Sequence, residues 1–153
     1  MAGDSMIIRC TKCGAGNRVQ FERLHQEPLC GRCKSPLPPP WVTPIAVTDE
    51  SFGDEVSRSP LPVLVDFWSP RCGPCQALAP VLEQLAYEMA GKLKICKVNV
   101  DMSRASAARF GIEAVPTLLF FRGGVLLETM RGALPREAIL GRIGRFLDPG
   151  ARA

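Results

Sequence analysis

The chain has 153 residues, of which 46% are hydrophobic and 22% charged, with 14 glycines, 14 prolines, seven cysteines and a formal net charge of +4 at pH 7. That is enough for one ordinary domain with a modest appendage, and the balance is wrong for a disordered tail or a strongly basic nucleic-acid binder. No apolar run approaches the length of a bilayer span, and Met1 to Arg9 lacks the basic-then-apolar order of a secretory signal, so the chain reads as cytoplasmic with no membrane association.

Cys10-Thr11-Lys12-Cys13 and Cys30-Gly31-Arg32-Cys33 are two Cys-x-x-Cys turns separated by 16 residues, an interval inside the zinc-ribbon range. Four thiolates at this spacing can close a tetrahedral site around Zn²⁺ with no open position, which makes the metal structural. Two disulfides or two further redox pairs are the alternatives. A segment this short does not hold a fold by its core alone, and zinc is the usual staple where thiols stay reduced. Gly14 and Gly31 are expected to permit the tight turns, and His25 to be a solvated loop residue. Residues 1–44 carry six Lys/Arg against three Asp/Glu with only Phe21 and Trp41 aromatic, so nucleic acid is not an expected partner.

Residues 35–44, Ser-Pro-Leu-Pro-Pro-Pro-Trp-Val-Thr-Pro, favour extended polyproline II and read as a semi-rigid linker on which Trp41 can dock against either side. The division is therefore a ribbon at 1–34, a linker at 35–44 and a main domain at 45–153. Beyond the linker the pattern alternates. Ile45 to Val47 reads as a strand, Asp49 to Val56 as a helix, Val63 to Trp68 as a strand and Cys75 to Met89 as a helix kinked at Pro80. Ile95 to Val100 is a strand, Ser103 to Phe110 a helix capped by Ser103, Thr117–Phe121 and Val125–Met130 a hairpin across Gly123-Gly124, and Pro135 to Leu147 a last helix burying Ile139, Ile143 and Leu147. Strands interleaved with helices give an α/β domain. Cys96, in an apolar strand, reads as a buried small hydrophobe.

Cys72-Gly73-Pro74-Cys75 sits between an apolar strand and an amphipathic helix marked by Leu78, Leu82, Leu85 and Met89. A lone Cys-x-x-Cys is compatible with half a metal site, inert core thiols or a redox pair; the strand before it and the helix after it favour the redox pair. Unpaired N–H groups and the positive end of the helix dipole favour a thiolate at Cys72, the form that attacks disulfides. Asp66 lies among Val65, Phe67 and Trp68, where ionisation is costly, so its pKa is expected to rise.

From about Ile45 to Leu147 the chain resembles thioredoxin. The resemblance rests on Val65-Asp66-Phe67-Trp68, Cys72-Gly73-Pro74-Cys75 with Pro80, Lys97-Val98-Asn99-Val100-Asp101, Val115-Pro116-Thr117, Gly123-Gly124 and Gly132. It implies the thioredoxin fold, a central mixed sheet flanked by helices, and a general protein disulfide reductase in which Cys72 attacks and Cys75 resolves. It further implies that Asp66, behind the second cysteine, assists deprotonation; that Lys97 is its electrostatic neighbour; and that Pro116 follows a cis peptide against the disulfide. Trp68, Ala114, Val115, Gly132 and Ala133 would line the substrate groove, with Gly73 and Pro74 tuning the motif. Arg71 departs from the family, which usually has tryptophan there, and places a permanent charge beside the nucleophile. With the ribbon included, the chain resembles the zinc-ribbon-containing bacterial thioredoxins, the thioredoxin 2 type. The implied partners are disulfide-containing proteins and an NADPH-dependent thioredoxin reductase, with the chain a monomer that binds structural Zn²⁺ and no organic cofactor. The rival reading is a redox-sensing or partner-binding adaptor in which the ribbon selects a partner and the dithiol reports oxidation.

Overall fold

A computed structural model describes residues 5–147. The side chain of His25 lies outside the described residues, and with it the expectation that it is solvated. The first part of the chain is a hairpin of β1 (Ser5–Arg9) and β2 (Gly16–Gln20), followed by a 3-10 turn over Phe21–Gln26 and an isolated bridge between Leu29 and Pro36. Its apolar side collects Ile8, Val19, Leu24, Leu37 and two of the cysteines, Cys10 and Cys30, and is completed by Leu61 from the main domain. So small a cluster cannot by itself offset the chain entropy of some thirty ordered residues, at roughly 1–2 kcal/mol each for the backbone alone.

The main domain is built on a five-stranded mixed sheet. Its strands are β3 (Ile45–Ala46), β4 (Val63–Trp68), β5 (Lys94–Asn99), β6 (Thr117–Arg122) and β7 (Val125–Arg131), in the order β3-β5-β4-β6-β7. The pairs β3·β5 and β4·β5 are parallel, and β4·β6 and β6·β7 are antiparallel. Three helices accompany it: α1 (Gly73–Glu88), α2 (Arg104–Arg109) and α3 (Arg136–Ile143). Strands with both faces covered read as near-continuous apolar runs, and β4 and β6 do, broken only by Asp66 and by the polar ends of β6, whereas β5 is interrupted by Lys94 and Lys97. Val63, Val65 and Phe67 point to one side, where they meet Phe52, Val56, Cys96, Val98 and Phe121. Leu64 points to the other, into a cluster with Leu78, Leu82 and Leu85 of α1 and Ile139 and Ile143 of α3.

Three local expectations differ from the structure. Residues 49–56 form no regular helix but a single π-helical turn over Gly53–Ser57; Phe52 and Val56 are four apart and both buried, which imitates helical period, while Gly53 and the flanking serines favour a turn. The last helix ends at Ile143 and tightens to a 3-10 turn over Gly144–Phe146, as glycines at 141 and 144 weaken its propagation. Ser103 occupies the N-cap of α2 but makes no side-chain cap bond. The cap comes from far away in sequence: the Asp49 carboxylate accepts hydrogen bonds from the Ala105 N–H (3.3 Å), the Ser106 N–H (2.8 Å) and Ser106 Oγ (2.7 Å). The β6–β7 turn is as expected, with Gly123 and Gly124 both at positive φ (59° and 81°). Any side chain at Gly124 would also meet the Ser57 carbonyl oxygen at 2.9 Å.

The three bonds to Asp49, led by those of Ser106, hold its carboxyl below the usual carboxylate range. A carboxylate with a lowered folded-state pKa stabilises the fold above its unfolded pKa of about 3.9, and that contribution fades as pH falls through the folded value. Asp49→Ala should therefore lower the urea midpoint at neutral pH without changing the m-value, and the gap to wild type should close as pH drops below about 4, as followed by fluorescence.

Candidate active site and metal centre

The main-domain site is assembled at the end of β4. The strand runs out at Trp68, the loop Ser69-Pro70-Arg71 turns the chain, and Cys72 becomes the N-cap of α1 with Pro74 in its first turn. Cys72 and Cys75 are joined as a disulfide. Cys75 is buried and Cys72 half-buried, so one sulfur of the pair faces outward and the other faces the core. The Cys75 N–H, a helix-end donor with no intrahelical partner, points at Cys72 Sγ over 3.1 Å.

The loop is fixed by contacts that sequence reading missed. Ser69 Oγ donates to Asp101 Oδ2 (3.0 Å) and accepts from the Arg71 N–H (3.4 Å), the Ser69 carbonyl accepts from the Cys72 N–H (3.1 Å), and Gln76 Nε2 donates to the Pro70 carbonyl (3.4 Å). The Arg71 side chain is exposed. Nothing in the local pattern marks Ser69 or Asp101, because they are brought together by adjacent strand ends rather than by sequence spacing.

Across from the disulfide lies the loop before β6. Cys72 Sγ is 3.6 Å from the Val115 carbonyl oxygen, and the Val115–Pro116 peptide bond is cis. The Gly132 N–H donates to the Pro116 carbonyl (2.9 Å), and Thr117 Oγ1 donates to the Ala114 carbonyl (2.7 Å), so the start of β6 and the end of β7 form one continuous wall. Ala114 and Ala133 are exposed on it, and Val115 is half-buried. Trp68, Val115, Pro116 and Gly132 are thus drawn to the same pole of the domain as the cysteines.

Asp66 is 1% exposed, and its Oδ1 has no hydrogen-bond partner among the described residues. Strand alternation puts it on the Leu64 face, the face that α1 covers. Burial pushes its carboxyl up to about 7, with the positive charge of Lys97 pulling the other way. Lys97 is opposite Asp66 in the β4·β5 register, and its Nζ stands 4.6 Å from the centre of the Trp68 ring. Cys96, next in the same strand but on the other face, is fully buried with its thiol pushed up to about 12 by burial, which leaves it unreactive at neutral pH.

The second candidate site is in the ribbon. The sulfurs of Cys10, Cys13, Cys30 and Cys33 lie within 4.8 Å of one another, with Cys10···Cys33 and Cys13···Cys30 both at 3.6 Å. Tetrahedral thiolates at about 2.3 Å from zinc are about 3.8 Å apart, so the four are gathered as that metal requires, with no fifth polar group needed. Each Cys-x-x-Cys is a tight turn: the Gly14 N–H donates to the Cys10 carbonyl, and the Lys34 N–H to that of Cys30. Gly14 takes positive φ as expected, but in the second turn the positive φ falls on Lys34, not on Gly31. Trp41 contacts both halves of the chain, packing on the ribbon cluster while its ring faces Lys94 Nζ at 4.8 Å.

Two family profiles match the chain, Thioredoxin over residues 43–145 and Thioredoxin 2, N-terminal, a zinc-ribbon profile, over residues 9–35. A thioredoxin of Haemophilus influenzae is 45% identical over 101 residues, which is 66% of this chain and 94% of that protein. The M-type chloroplastic thioredoxin of Chlamydomonas reinhardtii is 44% identical over 103 residues, covering 67% and 74%. A thioredoxin of Synechocystis is 41% identical over 101 residues, covering 66% and 94%.

The raised Asp66 carboxyl has a consequence for stability. Between the unfolded value and about 7 the native state holds a proton that the unfolded chain has lost, so the fold loses stability as pH rises through that window, and the full penalty is present above about 7. Asp66→Asn removes the penalty. The variant should gain up to roughly 4 kcal/mol at alkaline pH, less near neutrality and nothing by about pH 4, measured by urea unfolding of the oxidised protein across that range.

Proposed function

The chain belongs to the thioredoxin family of protein disulfide oxidoreductases, and on that premise we propose that it is a general protein disulfide reductase working through Cys72 and Cys75, with a zinc ribbon as its second module. The observation that carries this reading is the pair at the start of α1, with an outward sulfur at Cys72 and a buried one at Cys75. In the reduced protein the Cys72 thiolate attacks one sulfur of a substrate disulfide, and the other substrate sulfur leaves as a thiolate. The Cys75 thiolate then attacks Cys72 Sγ, which releases the second substrate thiolate and leaves the Cys72–Cys75 disulfide. Two electrons pass from the pair to the substrate. Asp66, poised near neutrality behind α1, accepts the Cys75 proton as that thiol becomes the nucleophile. Lys97 tempers the Asp66 charge, and Trp68, Ala114, Val115, Gly132 and Ala133 form the groove in which an extended substrate segment lies beside the cis-Pro116 wall.

In this reading Cys10, Cys13, Cys30 and Cys33 hold a structural Zn²⁺, residues 1–34 form the ribbon, 35–44 the linker and 45–153 the catalytic domain. The reductant is an NADPH-dependent thioredoxin reductase. Among the described residues no helix is long and apolar enough to cross a membrane. A dithiol that must be kept reduced, together with four zinc thiolates, suits the reducing cytoplasm.

In an insulin-reduction assay coupled to NADPH and thioredoxin reductase, the wild type should turn over continuously. Cys75→Ser should be inactive but accumulate a substrate mixed disulfide that reducing agent releases, and Cys72→Ser should trap none; the opposite pattern would reverse the two roles. Arg71 stabilises the neighbouring thiolate and hence the reduced protein, so Arg71→Trp should raise the Cys72 pKa and make the potential more negative by up to roughly 20 mV for this two-electron couple. Thiolate absorbance and a glutathione equilibrium on both proteins measure it.

A further inference from the structure

The two Cys-x-x-Cys turns repeat one another. In each, the first cysteine's N–H donates to the carbonyl five residues on, Cys10 to Ala15 (2.9 Å) and Cys30 to Ser35 (2.8 Å), and its carbonyl accepts the return bond, from Gly14 (3.0 Å) and Lys34 (2.9 Å). Backbone N–H groups inside each turn point at the first sulfur, from Lys12 to Cys10 Sγ and from Arg32 to Cys30 Sγ, both at 3.4 Å. The repeat explains how each turn presents its own pair. It does not explain what holds one turn against the other before a metal does so.

That join is made by Asn17, which the repeat does not duplicate: the position four residues beyond Cys33 is the apolar Leu37. Asn17 Oδ1 accepts the Gly31 N–H of the second turn at 2.8 Å. Its Nδ2 donates to the Ala15 carbonyl of the first turn (3.1 Å), to the Ile8 carbonyl of β1 (3.5 Å) and to Cys30 Sγ (3.5 Å). The amide orientation follows from these partners, since its oxygen faces a donor and its nitrogen faces two carbonyls and a sulfur. One half-buried side chain therefore spans both turns, the hairpin and one ligand atom.

We infer that Asn17 is the positioning residue of the ribbon's metal site, and that its contacts set how long the zinc stays bound. The inference rests on the reading of the four cysteines as a zinc site. Two effects act together. The bonds to Gly31 and Ala15 hold the four sulfurs close together before the ion arrives, so that less ordering remains to be done on binding. The N–H directed at Cys30 Sγ draws charge from a sulfur that, with three other thiolates around a divalent ion, sits in a cluster of net charge −2. Partners of this kind, one shell out from a metal, typically change affinity by about 10–100-fold.

The test uses the full-length protein loaded with zinc, with transfer of the metal to a chromogenic chelator followed by stopped flow, and cobalt-substituted protein for the thiolate-to-metal charge-transfer band. Asn17→Ala removes all the contacts; Asn17→Asp keeps the acceptor for Gly31 but loses the donor to sulfur. Roughly 10–100-fold faster zinc transfer from Asn17→Ala, and a shifted charge-transfer band in both variants, is the expected result. A residue that merely staples the hairpin would lower the melting temperature yet leave the cobalt band of Asn17→Asp at the wild-type position, and that outcome, or transfer rates within about twofold of wild type, overturns the inference. Wild-type protein that holds no zinc would overturn the metal reading itself along with it.

Discussion

A central strand covered on both faces admits one polar side chain only at a cost, and in β4 that side chain is Asp66. Val63, Leu64, Val65 and Phe67 are each no more than 1% exposed, and the strand is paired with β5 along its length and with β6 as far as Phe67, so the carboxyl cannot reach water by a small shift. With an oxygen unpartnered among the described residues and the positive charge of Lys97 nearby, its carboxyl is pushed up to about 7 by burial. The domain carries this liability in a buried central strand, and the same strand delivers the chain to Cys72. Any rearrangement that solvated Asp66 would also loosen the start of α1, so the chemistry of the thiols and the rigidity of the core share one strand.

The two parts of the chain meet at the other end of that strand. Leu61, just before β4, completes the ribbon's apolar cluster. Lys94, at the start of β5, is 3% exposed and is held by the Glu55 carboxylate and the Glu55 carbonyl, both at 2.8 Å, with the Trp41 ring above it. With Lys94 buried and Glu55 a third exposed, the pair gives geometric specificity more than net stability. Trp41, Lys94 and Glu55 thus fix where the linker lies rather than letting it act as a free tether.

The sequence was legible where its signals were local or carried by spacing. Apolar runs located β4 and β6, alternation located β5, and the paired cysteines located both candidate sites, because i,i+3 thiol spacing is stated directly by the sequence. Trp41 also docks, as its place in the proline-rich segment suggested, but on both sides at once. What escaped depends on tertiary contact. Asp49 caps a helix more than fifty residues away while Ser103, the local candidate, does not; Ser69 meets Asp101 only because their strands are neighbours; and Asn17 sits in a strand pattern where a polar residue draws no notice. The helix expected at 49–56 failed for the opposite reason: two apolar residues four apart fit a helical period as well as they fit a single turn with both side chains turned inward.

The placement of the ribbon limits what it can do. Leu61 joins its apolar cluster, the Trp41 ring that packs on that cluster faces Lys94, and Leu29 and Leu37 share a groove with Tyr87 near the end of α1 and with Ala90 just beyond it. The cysteine pair is at the opposite end of that helix, which at 16 residues is about 24 Å long. A ribbon at the start of β4 and the end of α1 is therefore remote from the Cys72–Cys75 pair. The elements between the two are α1 and the strands β4 and β5, which begin beside Leu61 and at Lys94 and carry the Asp66–Lys97 pair and Trp68 toward their other ends. Those strands are closely packed, and a close-packed interior has low compressibility and transmits strain, so the ribbon and the thiol pair are linked through the core rather than by direct contact.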